Sequence, residues 1–164
     1  MQSTSAAMKV RNGVTLGCFE VDGRLYAIDV TQVREVIRWQ PVTPLPKAPA
    51  LIEGVIDLRG VVVPVMDLGR SLGGERVEIG SRARIAIADL DGLVVGLIVN
   101  SAVEVLAVEA SALEDPPLLA TQAGYDAMRA VVRRPDAEPI LVLSLEHLIE
   151  SVYRSALPAT EAPA

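Results

Sequence analysis

Apolar runs of strand length, separated by tight polar turns, set the pattern of the chain. Residues 16–21 form one run, Asp22-Gly23 follows, and residues 25–30 form a second; Asp-Gly between two such runs is a strong hairpin signal. The same unit returns when the chain is shifted by 69 positions, the step from Gly23 to Gly92. Asp22-Gly23 then falls on Asp91-Gly92, Ala27-Ile28 on Gly96-Leu97, Val30 on Val99, Thr31 on Asn100, and Glu35-Val36-Ile37 on Glu104-Val105-Leu106, without a gap. Thr31 and Asn100 are both good helix N-caps, so a single helical turn is expected after each hairpin, before the chain extends again at 35–40 and 104–108.

The second half of the unit recurs more loosely. Val63-Pro64-Val65-Met66-Asp67-Leu68 matches residues 139–145, with Asp67 and Ser144 at equivalent cap positions. Ser144 opens the clearest helix of the chain, with Leu145, Leu148, Ile149 and Val152 on one face. Each copy supplies about five short strands, which suits a small barrel that hides its own edges. Two barrels side by side follow, held by an apolar contact between them, because a domain of ~60 residues buries too little surface to stand comfortably alone. Prolines collect in the connections, at 41–49 and 116–117, where a missing N–H does no damage.

Composition supports a mainly β fold: 33 residues are Val or Ile and only 5 are aromatic. The net charge of −6 opposes nucleic acid and anionic lipid as partners, and stacking aromatics are scarce. Cys18 is the only cysteine and His147 the only histidine, which removes disulfide frameworks, Cys/His zinc sites and most nucleophile–imidazole arrangements. No cofactor and no metal site are expected. A cytoplasmic location is expected too, since the start has no apolar leader core and no uncharged apolar stretch reaches membrane-spanning length.

Chemistry would have to run on carboxylates, such as Asp57 with Asp67 or Asp89 with Asp91. Each pair already has a turn or cap role, and no polar cluster marks a pocket. In the segment 53–68, Gly60 permits positive φ, residues 61–65 fill a core and Asp67 caps. Arg59, a cation on a turn between two apolar strands, is left without a structural task and is a candidate partner contact. Cys18 reads as an inert core thiol, His147 as a surface residue and Trp39 as either a lid on the core or an exposed anchor, the lid being the favoured reading.

Several motifs in order resemble the CheW family of bacterial chemotaxis coupling proteins. They are Leu25-Tyr26-Ala27-Ile28-Asp29-Val30, Val33-Arg34-Glu35-Val36-Ile37, Thr43-Pro44-Leu45-Pro46, Gly54-Val55-Ile56-Asp57-Leu58-Arg59-Gly60, Pro64-Val65-Met66-Asp67-Leu68 and Gly96-Leu97-Ile98-Val99-Asn100. The likeness runs from about Leu16 to Glu150. It implies two five-stranded SH3-like β-barrels related by the internal repeat, with a C-terminal helix. The expected division is a flexible segment 1–15, a first barrel 16–82, a second barrel 83–156 and a disordered tail 157–164.

The function implied is that of a non-catalytic cytoplasmic adaptor, linking the cytoplasmic hairpin tip of a chemoreceptor to the regulatory domain of a CheA-type histidine kinase at membrane-associated receptor arrays. Related adaptors serve twitching motility or second-messenger control. The positions matching the family's receptor contact, in an apolar groove between the barrels, are Val33, Glu35, Arg59, Gly96 and Val105; taken without the family, Val33 and Val105 read as core. The chain departs from the family at Asp57, where Asn is usual, at Asn100, where Asp is frequent, and at Ser144, where Asp is common. A carboxylate at Asp57 is placed to pair with or screen Arg59.

Overall fold

The computed structural model describes residues 13–117 and 127–156. In chain order the strands are β1 (Val14–Val21), β2 (Arg24–Asp29), β3 (Val33–Arg38), β4 (Ile52–Leu58), β5 (Val61–Asp67), β6 (Arg84–Leu90), β7 (Leu93–Val99), β8 (Ser101–Val108), β9 (Leu113–Glu114), β10 (Met128–Val132) and β11 (Ile140–Leu143). A short helix α1 (Leu68–Ser71) follows β5, and α2 (Leu145–Ala156) follows β11. Strand 1 therefore begins inside the segment expected to be flexible at 1–15; the expected tail, 157–164, lies outside the described residues.

Three hairpins turn on two residues each, Asp22-Gly23, Arg59-Gly60 and Asp91-Gly92, and all six residues have positive φ. That backbone matches the twist of paired strands and favours Gly, Asn or Asp. Asp57 Oδ1 accepts from the Gly60 N–H at 2.7 Å, and Asp89 Oδ1 accepts from the Gly92 N–H at 2.8 Å. Asp57 thus fastens its own turn; the expected pairing with Arg59 is not made.

The strands form a five-stranded sheet, β3-β6-β7-β5-β4, and a six-stranded sheet, β8-β1-β2-β11-β10-β9. The repeat maps one order onto the other, strand for strand, with the two-residue β9 as the addition. Each sheet also contains one parallel pair, β5 with β7 and β11 with β2. Thr43, beyond β3, bridges to Val55 of β4, so the chain leaving one edge of the five-stranded sheet covers the other.

The division at residue 82 needs correction, because the copies exchange hairpins. The β1–β2 hairpin sits in the sheet of β8 to β11, and β6–β7 sits in the sheet of β3 to β5. A sequence repeat identifies equivalent strands, but sheet membership depends on connections. The three-residue 3-10 turn Val30–Gln32 and the single residue Asn100 are short links that carry the chain between sheets. The expected caps are corrected as well: Asp29, not Thr31, caps the first turn, accepting from the Thr31 N–H at 2.9 Å, and no helical turn follows Asn100. Asn100 is instead a tie, its Oδ1 accepting from the Asp22 N–H at 2.7 Å while its Nδ2 donates to the Glu78 carbonyl at 3.3 Å.

The larger core cluster spans the seam. Phe19, Val21 and Ile28 from the six-stranded sheet pack with Ile56, Val65, Ile85 and Leu97 of the other sheet, and with Leu145 and Leu148 of α2. The opposite faces of β1 and β2 put Leu16, Cys18 and Ala27 into a second cluster with Val108, Ile140 and Val142. The first hairpin is buried on both faces, which is why its alternation is imperfect. Asp67 caps α1 and also accepts from the Val77 N–H, at 3.0 and 3.1 Å. Ser144 Oγ accepts from the His147 N–H at 3.2 Å and lies 2.8 Å from Nδ1 of that half-buried ring.

Candidate functional site

β3 is an edge of the five-stranded sheet and β8 an edge of the six-stranded sheet. Alternation along β3 sends Val36 outward, 41% exposed. Among the described residues β8 has no further strand beyond it, leaving Val103 at 44% and Val105 at 65% exposure. Between them lies a depression of about 220 Å³ lined by Phe19, Val30, Val33, Val36, Val103 and Val105, with Glu104 its only ionisable carboxylate. β-branched side chains on two facing edges make a stiff, preformed apolar groove, and such exposed patches mark contact sites. Cys18 lies beneath it. Burial, with the nearby Glu104 carboxylate, pushes its thiol up to about 11, so it is neutral and unreactive at physiological pH.

The second feature of β3 is polar. Glu35, two residues from Val33, pairs with the guanidinium of Arg59 on the β4–β5 turn. The hydrogen bond from Arg59 holds the Glu35 carboxyl below the usual carboxylate range and raises the Arg59 guanidinium in turn. Arg59 itself has φ +51°, a conformation an L residue with a long side chain rarely takes. A residue held there by its turn and its partner is a mark of functional positions. Beside it Val61 and Val62 are exposed, which corrects the expectation that residues 61–65 all fill the core; only Val63 and Val65 are buried.

Val33 and Val105 are therefore brought together in one groove, and Glu35 of β3 and Arg59 of the β4–β5 turn are brought together in one ion pair. Gly96 is not brought to either. It is buried in the middle of β7, and a Cβ there would stand 2.8 Å from Ile85 Cγ2 and 3.3 Å from Val65 Cγ2. Its role is close packing of β7 between β6 and β5. Val36 and Val103 were missed from sequence; the outward phase of the alternation in β3 was the signal for the first.

Three of the four candidate carboxylates bind backbone N–H groups, Asp57 and Asp89 in turns and Asp67 in a cap, with Asp89 also paired to Arg34 at 3.2 Å, while Asp91 is itself a residue of the β6–β7 turn. Among the described residues no group of three or more His, Cys, Asp and Glu side chains could hold a metal, and no helix is long and apolar enough to cross a membrane.

Comparison with known proteins gives a consistent result. The family profile described as the CheW-like domain matches residues 15–153. A protein named chemotaxis protein CheW from Rhizobium meliloti is 32% identical over 154 residues, covering 93% of this chain and 99% of that one. Its Bacillus subtilis namesake is 40% identical over 109 residues, 66% of this chain and 70% of the other. Among solved structures, the scaffolding protein TtCheW from Thermoanaerobacter tengcongensis superimposes with a TM-score of 0.75 at 30% identity, covering 84% of this chain and 93% of that one.

Proposed function

The chain belongs to the CheW-like domain family, a family of non-catalytic scaffolds in chemotaxis, and from that premise we propose that it couples chemoreceptors to a CheA-type histidine kinase in the cytoplasm. In this reading the helical hairpin tip of the receptor lays its apolar face along the groove of Val33, Val36, Val103 and Val105. Glu35 and Arg59 set the register at the rim through charged hydrogen bonds. The kinase regulatory domain binds elsewhere on the same scaffold, and many such contacts recruit it to membrane-associated receptor arrays through avidity. Signal passes as a shift in kinase populations, since an adaptor biases an equilibrium only by contacting its states differently.

The observation that supports this most is the apolar groove between two unpaired sheet edges, with the Glu35–Arg59 pair on one of its strands. Val105→Glu adds a charge at a 65% exposed position and so leaves folding intact. It should abolish pull-down of a chemoreceptor hairpin-tip fragment while retaining that of the kinase regulatory domain. Undiminished receptor pull-down by Val105→Glu and by Arg59→Ala would remove the groove from the receptor contact.

A further inference from the structure

Arg38 and Arg84 are direct partners across the β3–β6 ladder, so their side chains leave the same face of the sheet side by side. Like charges in that position destabilise a sheet, and the chain as a whole carries an excess of acidic residues that could have neutralised them. They are not neutralised. The six residues lining the cavity of about 330 Å³ at this corner, Arg38, Trp39, Gly80, Ser81, Ala83 and Arg84, include no carboxylate. Arg84 Nη1 is fixed by the Ser81 and Ala83 carbonyls, at 3.4 and 2.9 Å. Among the described residues, no hydrogen bond or ion pair holds the guanidinium of Arg38. One guanidinium is thus aimed by the backbone, its neighbour is free, and the half-buried Trp39 indole stands beside both.

We propose that this corner is an anion-binding site that receives the carboxylates of an acidic segment on a partner protein. Two guanidinium forks at adjacent ladder positions suit two carboxylates, which would turn the cross-strand repulsion into attraction. Arg and Trp together are the side chains most enriched where binding energy concentrates. Two carboxylates of a short segment meet only this corner, the remaining surface being screened beyond about 8–10 Å, whereas the extended phosphate arrays of nucleic acid or an anionic membrane would face the whole surface of a chain whose net charge is −6. The site shares no lining residue with the groove between the sheets and stands independently of the receptor assignment.

Trp39 is the only tryptophan of the chain, so its emission reports on this corner, and the Arg38 and Arg84 variants separate the response from one at the neighbouring cavity of Pro41, Glu53 and Arg76 that the indole also lines. The full chain is titrated with blocked hexaglutamate, with blocked hexaglutamine and with inorganic phosphate. Hexaglutamate should change Trp39 emission saturably, hexaglutamine should not, and Arg38→Gln and Arg84→Gln should each weaken the response at least tenfold. In the absence of any peptide, Arg38→Glu should raise the melting temperature by replacing a like pair with an opposite one. No saturable response to hexaglutamate, or one that survives both Gln variants, overturns the site. Equal saturation by phosphate alone, or a response to an anionic oligonucleotide and not to hexaglutamate, overturns the peptide assignment. An unchanged or lowered melting temperature for Arg38→Glu overturns the argument from uncompensated charge.

Discussion

Substituting Gly96 separates a packing role from a binding role with one variant. The residue sits in β7 with β6 on one side and β5 on the other. A methyl at Cα would come within 2.8 Å of Ile85 Cγ2, a methyl of a fully buried β-branched side chain that has no alternative rotamer space. Overpacking of this kind costs about 1–3 kcal/mol. The extended backbone at Gly96 suits alanine, which recovers about 0.4–1 kcal/mol by restricting the unfolded chain. Gly96→Ala should therefore destabilise by about 1 kcal/mol, and Gly96→Val, with two more methyls, by about 3 kcal/mol. For a chain of this size each kcal/mol lowers the melting temperature by roughly 2–4 °C. Differential scanning calorimetry should show a drop of roughly 2–4 °C for alanine and roughly 6–12 °C for valine. At 20 °C the folded alanine variant should bind a receptor hairpin-tip fragment as the parent does. A variant that melts with the parent but binds tenfold more weakly would refute the packing argument and restore Gly96 as a contact.

Arg59→Gly should raise the melting temperature, because glycine takes φ +51° freely, while weakening receptor pull-down; a lowered melting temperature would show that the Glu35 pair outweighs the backbone strain. Asn100→Asp should cost about 1 kcal/mol in a urea titration, since a carboxylate cannot donate to the Glu78 carbonyl; equal midpoints would remove that tie from the account. Burial pushes the Asp67 carboxyl above its ordinary value of 3.8 despite the backbone N–H groups it accepts from. The folded state therefore binds a proton that the unfolded state has already released. Stability from this group is present below about 3.8 and lost as pH rises through the raised folded value. The melting difference between parent and Asp67→Asn should move in favour of the parent as pH falls through that window, and movement the other way would contradict the burial argument.

The hairpins were legible because Asp-Gly turns are a local signal, and the repeat was legible because its spacing is rigid across 69 positions. The helix at the end was legible from its period, with Leu145 and Leu148 buried as expected. Sheet membership was not, because ladder partners are chosen across long stretches of chain: β1 pairs with β8 and β2 with β11. The pairing of Glu35 with Arg59 joins residues 24 positions apart and left no local trace. Val61 and Val62 looked like core because a run of valines carries no phase; they point to opposite faces, and both are exposed because they stand next to the Arg59-Gly60 turn at the tip of the hairpin. Val33 and Val105 entered as site residues through family resemblance, and their meeting in one groove depends on the exchange of hairpins that brings β3 and β8 to facing edges.

The central claim, that the seam between the sheets is where a helical receptor tip docks, is tested most directly by methyl NMR of valine-labelled protein. On addition of a chemoreceptor hairpin-tip fragment, the methyl signals of Val33, Val36, Val103 and Val105 should shift together with one saturation curve, while those of the buried Val63 and Val99 stay in place. Saturable binding of that fragment with the four groove valines unmoved and shifts concentrated elsewhere on the surface would contradict it.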